Sequence, residues 1–312
     1  MNVTSVSILI CTYNRSPWLR ETLHSLMRLH VPADCSAEIV VVDNNSTDDT
    51  RAVIADAASR SRFPVRYLFE PRQGKSFALN TGLERATGDV LALTDDDVVP
   101  AADWLARIVG AFRSRDLTFA FGKVLPRWAS LPPSELLTER AHEIWGPLAI
   151  VDYGNDVLEY TPEAQGQKLP IGANLAFARN ALVLAGGWRT DLGKVNNTLI
   201  SGEDHEIFFR LRQAGLYRGL YDPAIEVRHL VPTSRMTRRY FRRWFYWHGR
   251  TLARMIDEIY APLDLSQVPH IAGVPRFIYR QALQQCWRWF RRMGSSDALG
   301  LLIEELHAVE YA

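Results

Sequence analysis

Three consecutive acids, Asp95, Asp96 and Asp97, stand where the short apolar run 90–93 ends. A run that short and bounded predicts a buried parallel strand. Ligand sites in open α/β sheets gather at the carboxyl ends of such strands. Adjacent carboxylates repel one another there, and a divalent cation relieves the repulsion. Mg²⁺ typically takes one or two protein carboxylates and fills its shell with water and substrate phosphates. A polar turn capping the following helix explains the same triplet without a metal, because Asp is common in turns and caps. His229, directly after the last predicted strand, offers such an ion an imidazole ligand, although a lone histidine is more often a satisfied side chain.

The loop 43–49 reads Asp43-Asn44-Asn45-Ser46-Thr47-Asp48-Asp49. Asp43 ends a predicted strand, where a carboxylate accepts hydrogen bonds from a base or ribose, while Asp48 or Asp49 suits the cap of a helix starting at Thr50. Gly74-Lys75-Ser76 has the ending of a phosphate loop, but Phe69 stands five residues before Gly74, where that motif needs glycine. Nor does a Gly-x-Gly-x-x-Gly follow the first strand. Cys11-Thr12-Tyr13-Asn14-Arg15 stands there instead, which removes the main support for a dinucleotide site. Gly202-Glu203-Asp204 opens a predicted helix after the flexible stretch 191–201. The helix dipole favours acids in a first turn for stability alone, and it also keeps a carboxylate ionised and ready to take a proton.

These residues need a scaffold that holds strand ends side by side. Short β-rich runs at 6–11, 39–42, 65–69 and 90–93 alternate with helical patterns at 17–29, 50–59 and 76–86. Strand alternating with helix predicts a parallel sheet covered on both faces. Helix 102–112 and strand 119–124 continue the pattern; residues 126–170 then lose periodicity and read as a long excursion over the sheet's active edge. A strand at 174–178, a helix at 204–214 closed by Gly215 and a last strand at 224–227 follow.

Thr12-Tyr13-Asn14 after strand one, Asp43 after strand two, Gly74 with Lys75 and Asn80, the Asp95 to Asp97 cluster, Gly202-Glu203-Asp204 and His229 resemble, in order and spacing, a family 2 glycosyltransferase of the GT-A fold over residues 5–250. The resemblance implies an α/β, Rossmann-like fold: a mixed, mostly parallel sheet flanked by helices, with a C-terminal helical extension. It divides the chain into a catalytic domain at 1–235, with a nucleotide-sugar half at about 1–125 and an acceptor half at about 126–235, and an extension at 236–312. Thr12, Tyr13, Asn14 and Asp43 would then hold the nucleotide. Gly74, Lys75 and Asn80 would lie near the sugar or phosphates, with Lys75 standing in for the arginine that often precedes the matching Asn in relatives, since Leu79 is here. The DXD motif maps onto Asp95, facing the ribose, and Asp97, a metal ligand, with Asp96 in the middle position on the donor side. Glu203 and Asp204 match the family's acidic pair, with Asp204 as general base, and His229 matches a metal-coordinating histidine. The implied reaction is a metal-dependent, inverting transfer using Mn²⁺ or Mg²⁺. It runs from a nucleoside-diphosphate sugar, UDP being the best single choice, to a hydroxyl of a glycan or lipid-linked acceptor in polysaccharide or glycoconjugate synthesis.

The bulk composition is that of an ordinary soluble protein. With 47% hydrophobic residues over 312, the chain can bury a full core, and a net charge of +1 gives no overall balance for binding polyanions. Cys11, Cys35 and Cys286 fit neither zinc spacing nor a disulfide framework, which points to a reducing cytoplasm. Two segments differ from the rest: 237–255 and 276–292 combine many arginines with Trp, Tyr and Phe and contain no acid within 237–255. Three readings stay open for them. They could be interfacial helices on an anionic membrane, which would place the protein peripherally on the inner face of the plasma membrane. They could also bind an acceptor diphosphate or pack on the protein's own core. Nucleic-acid binding is not expected, because no reader motif accompanies the charges. A non-catalytic nucleotide-sugar binder or scaffold does not require Asp204 and His229 together. A sugar nucleotidyltransferase would show a glycine-rich basic signature near the first strand.

Overall fold

The computed structural model describes residues 2–164, 167–196, 198–260, 263–295 and 297–311. In it, β1 (Ser5–Thr12) sends Ile8 and Ile10 to one face of a sheet and Leu9 to the other, and all three are buried. Helix α1 (Ser16–Leu26) follows, then β2 (Ser36–Asp43), α2 (Thr50–Arg60), β3 (Val65–Phe69), α3 (Lys75–Arg85) and β4 (Val90–Asp95). Leu19, Leu23 and Leu26 of α1 and Val53, Ile54 and Ala57 of α2 recur at helical spacing and join the Ile8 face. Ala78, Leu79 and Leu83 of α3 cover the opposite face with Leu9, Val40 and Leu91. A period of two along the strands and 3.6 along the helices thus produces a sheet buried on both sides.

The chain continues through β5 (Val98–Pro100), α4 (Trp104–Ser114), β6 (Phe119–Phe121), β7 (Val124–Trp128), β8 (Leu158–Tyr160), β9 (Asn174–Ala178), α5 (Arg179–Leu184), α6 (Glu203–Gln213), β10 (Gly219–Tyr221) and β11 (Val227–Val231). The main sheet has the order β3-β2-β1-β4-β9-β6-β10-β8. Strands β1 to β4 pair in parallel, whereas β9 runs antiparallel to both β4 and β6. Because β2 and β4 flank β1, the order reverses there, and this switch point is where open α/β sheets hold ligands. Register sets Thr12 beside Asp43 and Cys11 beside Asp95.

Two expected strands differ from those observed. Residues 119–124 form two strands in separate sheets, because a Cβ on Gly122 would lie 2.0 Å from the Ile225 carbonyl and only glycine permits that approach. Residues 224–226 lie in a turn in which the Asp222 carboxylate accepts from the Ala224 N–H at 2.9 Å, so the last strand starts later, at Val227. His229 is therefore inside β11 and not after it. β11 pairs antiparallel with β5 in a three-stranded sheet completed by β7, with His229 opposite Val98, one residue beyond Asp97.

Buried Asn174 fastens this arrangement. Its amide donates to the carbonyls of Lys123 at 2.9 Å and Ile225 at 2.7 Å, and its oxygen accepts from the Trp104 indole at 2.8 Å. Asn174→Ala is expected to cost about 3 kcal/mol, because it strands buried polar groups of three segments. Urea unfolding with an unchanged slope checks this.

Residues Met1–Arg127, Ala149–Asn196 and Glu203–Leu230 form one compact unit; Trp128–Leu148, Asn197–Gly202 and Val231–Ala312 form a second. The second unit contains α7 (Arg238–Arg254), the short α8 (Ile256–Ile259), a hairpin of β12 (His270–Ile271) and β13 (Val274–Pro275), α9 (Arg276–Arg292) and α10 (Ala298–Tyr311). Apolar α10 packs against both α7 and α9. Phe241 and Phe245 of α7 are buried, Trp244 stacks on His248 at 4.7 Å, and Arg242 pairs with Glu305. The aromatic residues of α7 are thus largely used in packing. At Gly249 an added Cβ would lie 1.9 Å from the Glu310 carbonyl, so α7 and α10 approach to backbone contact.

Next to that crossing the Glu310 carboxylate receives His248 and, at 3.5 Å, His307. Burial pushes Glu310 up, but the two imidazoles outweigh it and hold its pKa at about 2; the same hydrogen bond, against burial, raises His307. The lowered Glu310 stabilises the fold above its unfolded value of 4.5 and loses that contribution only as pH falls towards 2. The raised His307 contributes fully below its unfolded value of 6.5 and loses its contribution as pH rises through the higher folded value. Protection of the α10 amides, taken relative to the intrinsic exchange rate at each pH, is therefore expected to be greatest between these limits and to fall under alkaline conditions. Glu310→Gln should flatten that dependence.

Candidate active site

The carboxyl ends of β1, β2 and β4 bring the acids together with cations. Asp96 and Asp97 are almost fully buried, and the Arg15 guanidinium spans them, 3.0 Å from Asp96 Oδ1 and 2.7 Å from Asp97 Oδ2. The Thr12 hydroxyl donates to Asp96 Oδ2 at 2.7 Å. Burial, opposed by Arg15 and reinforced by Asp97, pushes Asp96 up to about 6. Arg15 also lies over the Trp18 ring at 5.0 Å, which fixes its planar head. Asp96 thus faces Thr12 and Arg15 inside the protein.

Asp97 looks the other way as well. Its Oδ1 lies 3.3 Å from Nε2 of His229, and the Leu230 N–H donates to the Asp97 carbonyl at 3.0 Å, locking β11 beside the cluster. One ligand atom each from Asp95, Asp97 and His229 lies within 4.8 Å of the others. A single ion with bonds of about 2.1 Å can gather such a set with small side-chain rotations. Two carboxylates and an imidazole suit Mn²⁺ or Mg²⁺. Asp95 belongs to this group by position, in addition to the ribose contact expected for it.

Lys75, at the start of α3, forms a second centre. Its ammonium lies 3.7 Å from Asp95 Oδ1, 3.2 Å from Glu203 Oε1 and 3.7 Å from Asp204 Oδ2. Burial pulls the lysine down, but Asp204, Asp95 and Glu203 outweigh it and hold it well above its ordinary value. Burial also pushes Asp95 up and Asp97 adds to that, but the neighbouring Lys75 ammonium chiefly turns the balance to a lowered value. Glu203 is raised by burial first and then by Asp204. Asp204 sits in the first turn of α6; its Oδ2 accepts the Gly172 N–H at 2.9 Å, while Oδ1 is buried without a hydrogen-bond partner among the described residues. A Cβ at Gly172 would lie 2.8 Å from both carboxylate oxygens. The backbone before β9 thus cradles Asp204 as only glycine allows.

The remaining expected residues divide into two sets. Asp43 is buried and accepts the Ser46 N–H at 2.8 Å and the Tyr67 hydroxyl at 3.1 Å, which orients its carboxylate at the strand end. Asn14, at φ 52°, accepts from the Thr47 N–H at 2.7 Å and ties the first loop to the second, while Tyr13 beside it is exposed. Asp48 caps, accepting the N–H groups of Thr50 and Ser16. Gly74 takes φ 144°, and its N–H is held by Asn44 at 2.8 Å. The expected flexible stretch 191–201 is tied down at two points, where the Leu192 and Lys194 carbonyls accept from Ser76 and Lys75; residue 197 within it lies outside the described residues. Asn80 stands apart. Its amide exchanges two 2.8 Å hydrogen bonds with the Trp188 backbone and so anchors a loop.

Comparison with known proteins gives this constellation its context. Residues 7–137 match the family described as Glycosyl transferase family 2. Over 254 residues, 81% of this chain and 75% of the relative, the sequence is 28% identical to the succinoglycan biosynthesis protein ExoM of Rhizobium meliloti. Residues 7–137 form a family 2 glycosyltransferase domain, and the chain is a glycosyltransferase. The enzyme is also 23% identical to the glucosyl-dolichyl phosphate glucuronosyltransferase of Haloferax volcanii, with 82% of this chain and 78% of that one covered. Its fold resembles that of the mannosyltransferase PcManGT of Pyrobaculum calidifontis, solved with GDP-Man and Mn²⁺, at a TM-score of 0.59 and 22% identity over 97% of this chain and 73% of that one. The GT-A fold expected from the sequence is the fold observed. The binder and nucleotidyltransferase readings are not favoured.

Two residues of the glycosyltransferase's site escaped sequence reading. Arg15 had a signal: a lone cation after a strand end opposite three acids is a charge-balance requirement. Gly172 had none, since its closeness to Asp204 arises only when β9 lies beside β4. Removing Arg15 leaves two buried carboxylates uncompensated. Arg15→Met is expected to destabilise the enzyme by about 3 kcal/mol, at the low end for a broken buried pair because the guanidinium keeps some solvent contact. Urea denaturation measures it.

Proposed function

We propose that the enzyme transfers a sugar from a nucleoside-diphosphate sugar, with UDP as the first choice of carrier, to a hydroxyl of a glycan or lipid-linked acceptor, with inversion at the anomeric carbon. The observation that carries this reading is the Lys75 ammonium, within 3.7 Å of both Asp95, a member of the candidate metal group, and Asp204. One cation thus links the cluster suited to a diphosphate with a carboxylate suited to an acceptor proton.

Asp204 is the general base in this reading. The Gly172 N–H fixes its Oδ2, and Oδ1 is left to accept the hydroxyl proton. Lys75 pairs with both Asp204 and Glu203 and so offsets the repulsion between the two carboxylates. Asp43, oriented by Ser46 and Tyr67, retains lone pairs for a base or ribose donor, and Thr12, Tyr13 and Asn14 shape the adjoining wall. Asp95, Asp97 and His229 would hold a divalent cation, Mn²⁺ or Mg²⁺, which when bound neutralises charge on the leaving diphosphate as a Lewis acid. With the base and the leaving group on opposite sides of the anomeric carbon, a single displacement inverts its configuration.

The Haloferax relative, named for transfer involving glucosyl-dolichyl phosphate, supports a lipid-linked acceptor, and ExoM, named for succinoglycan biosynthesis, supports a polysaccharide product. GDP in place of UDP is the alternative raised by the Pyrobaculum neighbour. Thermal shift with nucleoside diphosphates, with and without Mn²⁺, is the deciding measurement. Stabilisation by UDP only with metal is expected, about 2.7 kcal/mol at a hundredfold excess over Kd; a response to GDP alone reassigns the carrier. Asp204→Asn should lower turnover about 10²- to 10⁴-fold while leaving that shift in place. Turnover near the wild-type rate, or a product retaining the donor's anomeric configuration, overturns the mechanism.

A further inference from the structure

Helices α7 and α9 share a composition rich in arginine and aromatic residues but use it differently. On α7 Phe241 and Phe245 face inward. On α9 no residue is fully buried, and Tyr279, Leu283, Trp287 and Phe290 are 39%, 70%, 60% and 63% exposed. These four follow one another at intervals of four, four and three residues, so they form a single stripe on the helix surface. Trp287 and Phe290 stack on each other at 6.2 Å, presenting a flat apolar surface. Exposed Ile271 extends the stripe from the β12–β13 hairpin, whose tip is tied to α9 because the Tyr279 hydroxyl donates to the Ile271 carbonyl at 3.2 Å.

Charge identifies what covers the stripe. α9 has no acidic residue. Arg292 turns back to Asp297 and Glu304, but Arg276, Arg280, Arg288 and Arg291 are exposed. At 100° per residue, Arg280 and Arg291 run along one edge of the stripe, and Arg276 lies in line with it at its N-terminal end. A second copy of the same face would set arginine against arginine around the apolar contact. An apolar helix face edged with arginine and carrying Trp and Tyr matches an anionic lipid surface, where rings sit at headgroup depth and guanidinium groups meet phosphate. The stripe is roughly 16 Å long, enough to lie in the interface. No described helix is long and apolar enough to cross a membrane.

We propose that the outer face of α9, with Tyr279, Leu283, Trp287 and Phe290 as its apolar stripe and Arg276, Arg280 and Arg291 as the charges around it, docks the protein onto an anionic phospholipid bilayer. This assignment does not depend on which donor or acceptor the catalytic unit uses.

Flotation of the intact protein with vesicles tests it. Binding to equimolar phosphatidylcholine and phosphatidylglycerol should exceed binding to phosphatidylcholine alone by about tenfold or more and fall with added salt. The double variant Leu283→Ser/Trp287→Ser should lose about tenfold in vesicle binding, and so should Arg276→Gln/Arg280→Gln, with melting temperatures close to wild type because all four side chains face solvent. Absence of flotation on the mixed vesicles overturns the proposal, as does flotation unaffected by both double variants. A dimer in sedimentation velocity that Leu283→Ser/Trp287→Ser dissolves also overturns it, by making a second copy the occupant.

Discussion

Everything in the catalytic unit depends on keeping buried acids next to one another at the end of a sheet. Asp95, Asp96 and Asp97 leave β4 together, and Glu203 and Asp204 join them from α6. Two cations make this possible. Arg15 bridges Asp96 and Asp97, and Lys75 reaches Asp95, Glu203 and Asp204. Desolvation and like-charge repulsion both penalise carboxylates packed this closely, and these two cations offset that penalty. The partners differ in kind. A planar guanidinium suits the fixed bridge between two adjacent carboxylates, whereas a compact ammonium on a flexible stem suits three acids from separate elements.

The sheet supplies the precision. Parallel pairing of β1 with β2 and β4 puts Thr12, Asp43 and Asp95 on neighbouring strand ends. Antiparallel β9 then reverses direction beside β4, and its approach delivers the Gly172 N–H to Asp204. The smaller sheet contributes through register alone: β11 opposite β5 places His229 next to Asp97, far away in sequence. A parallel strand arriving through a crossover would end at the same edge as β4, whereas these antiparallel returns let side chains from mid-strand and pre-strand positions face the cluster.

Much of this was legible because local chemistry and global fold agree. Alternating strand and helix patterns gave β1 to β4 and α1 to α3 within a few residues, and strand-end acids marked the switch point. The misplaced elements have two causes, close backbone packing and a side-chain turn. Gly122 against the Ile225 carbonyl splits one expected strand in two, and the Asp222 turn delays the next. Neither effect has a periodicity to detect. Asn80 shows the same limit at the side-chain level: the two hydrogen bonds its amide exchanges with the Trp188 backbone could not be read from its place near a helix start. Hydrogen-bond partners far apart in sequence leave no local trace.

The C-terminal helices extend that point from single residues to whole faces. Composition made 237–255 and 276–292 look alike, and amphipathicity was evident in both. What separates them is the partner each finds. Apolar α10 packs beside α7, whose Phe241 and Phe245 are buried, and its Glu305 and Glu310 meet Arg242 and His248 of α7. α9 meets α10 along its other side and keeps Tyr279, Leu283, Trp287 and Phe290 outward. Burying a Trp and a Phe is among the larger gains available to a small helical unit, so leaving both exposed on one stripe forgoes stability the fold had within reach. An exposed stripe of this kind has a physical rationale when another surface buries it, and the four exposed arginines on the same helix restrict that surface to one rich in negative charge.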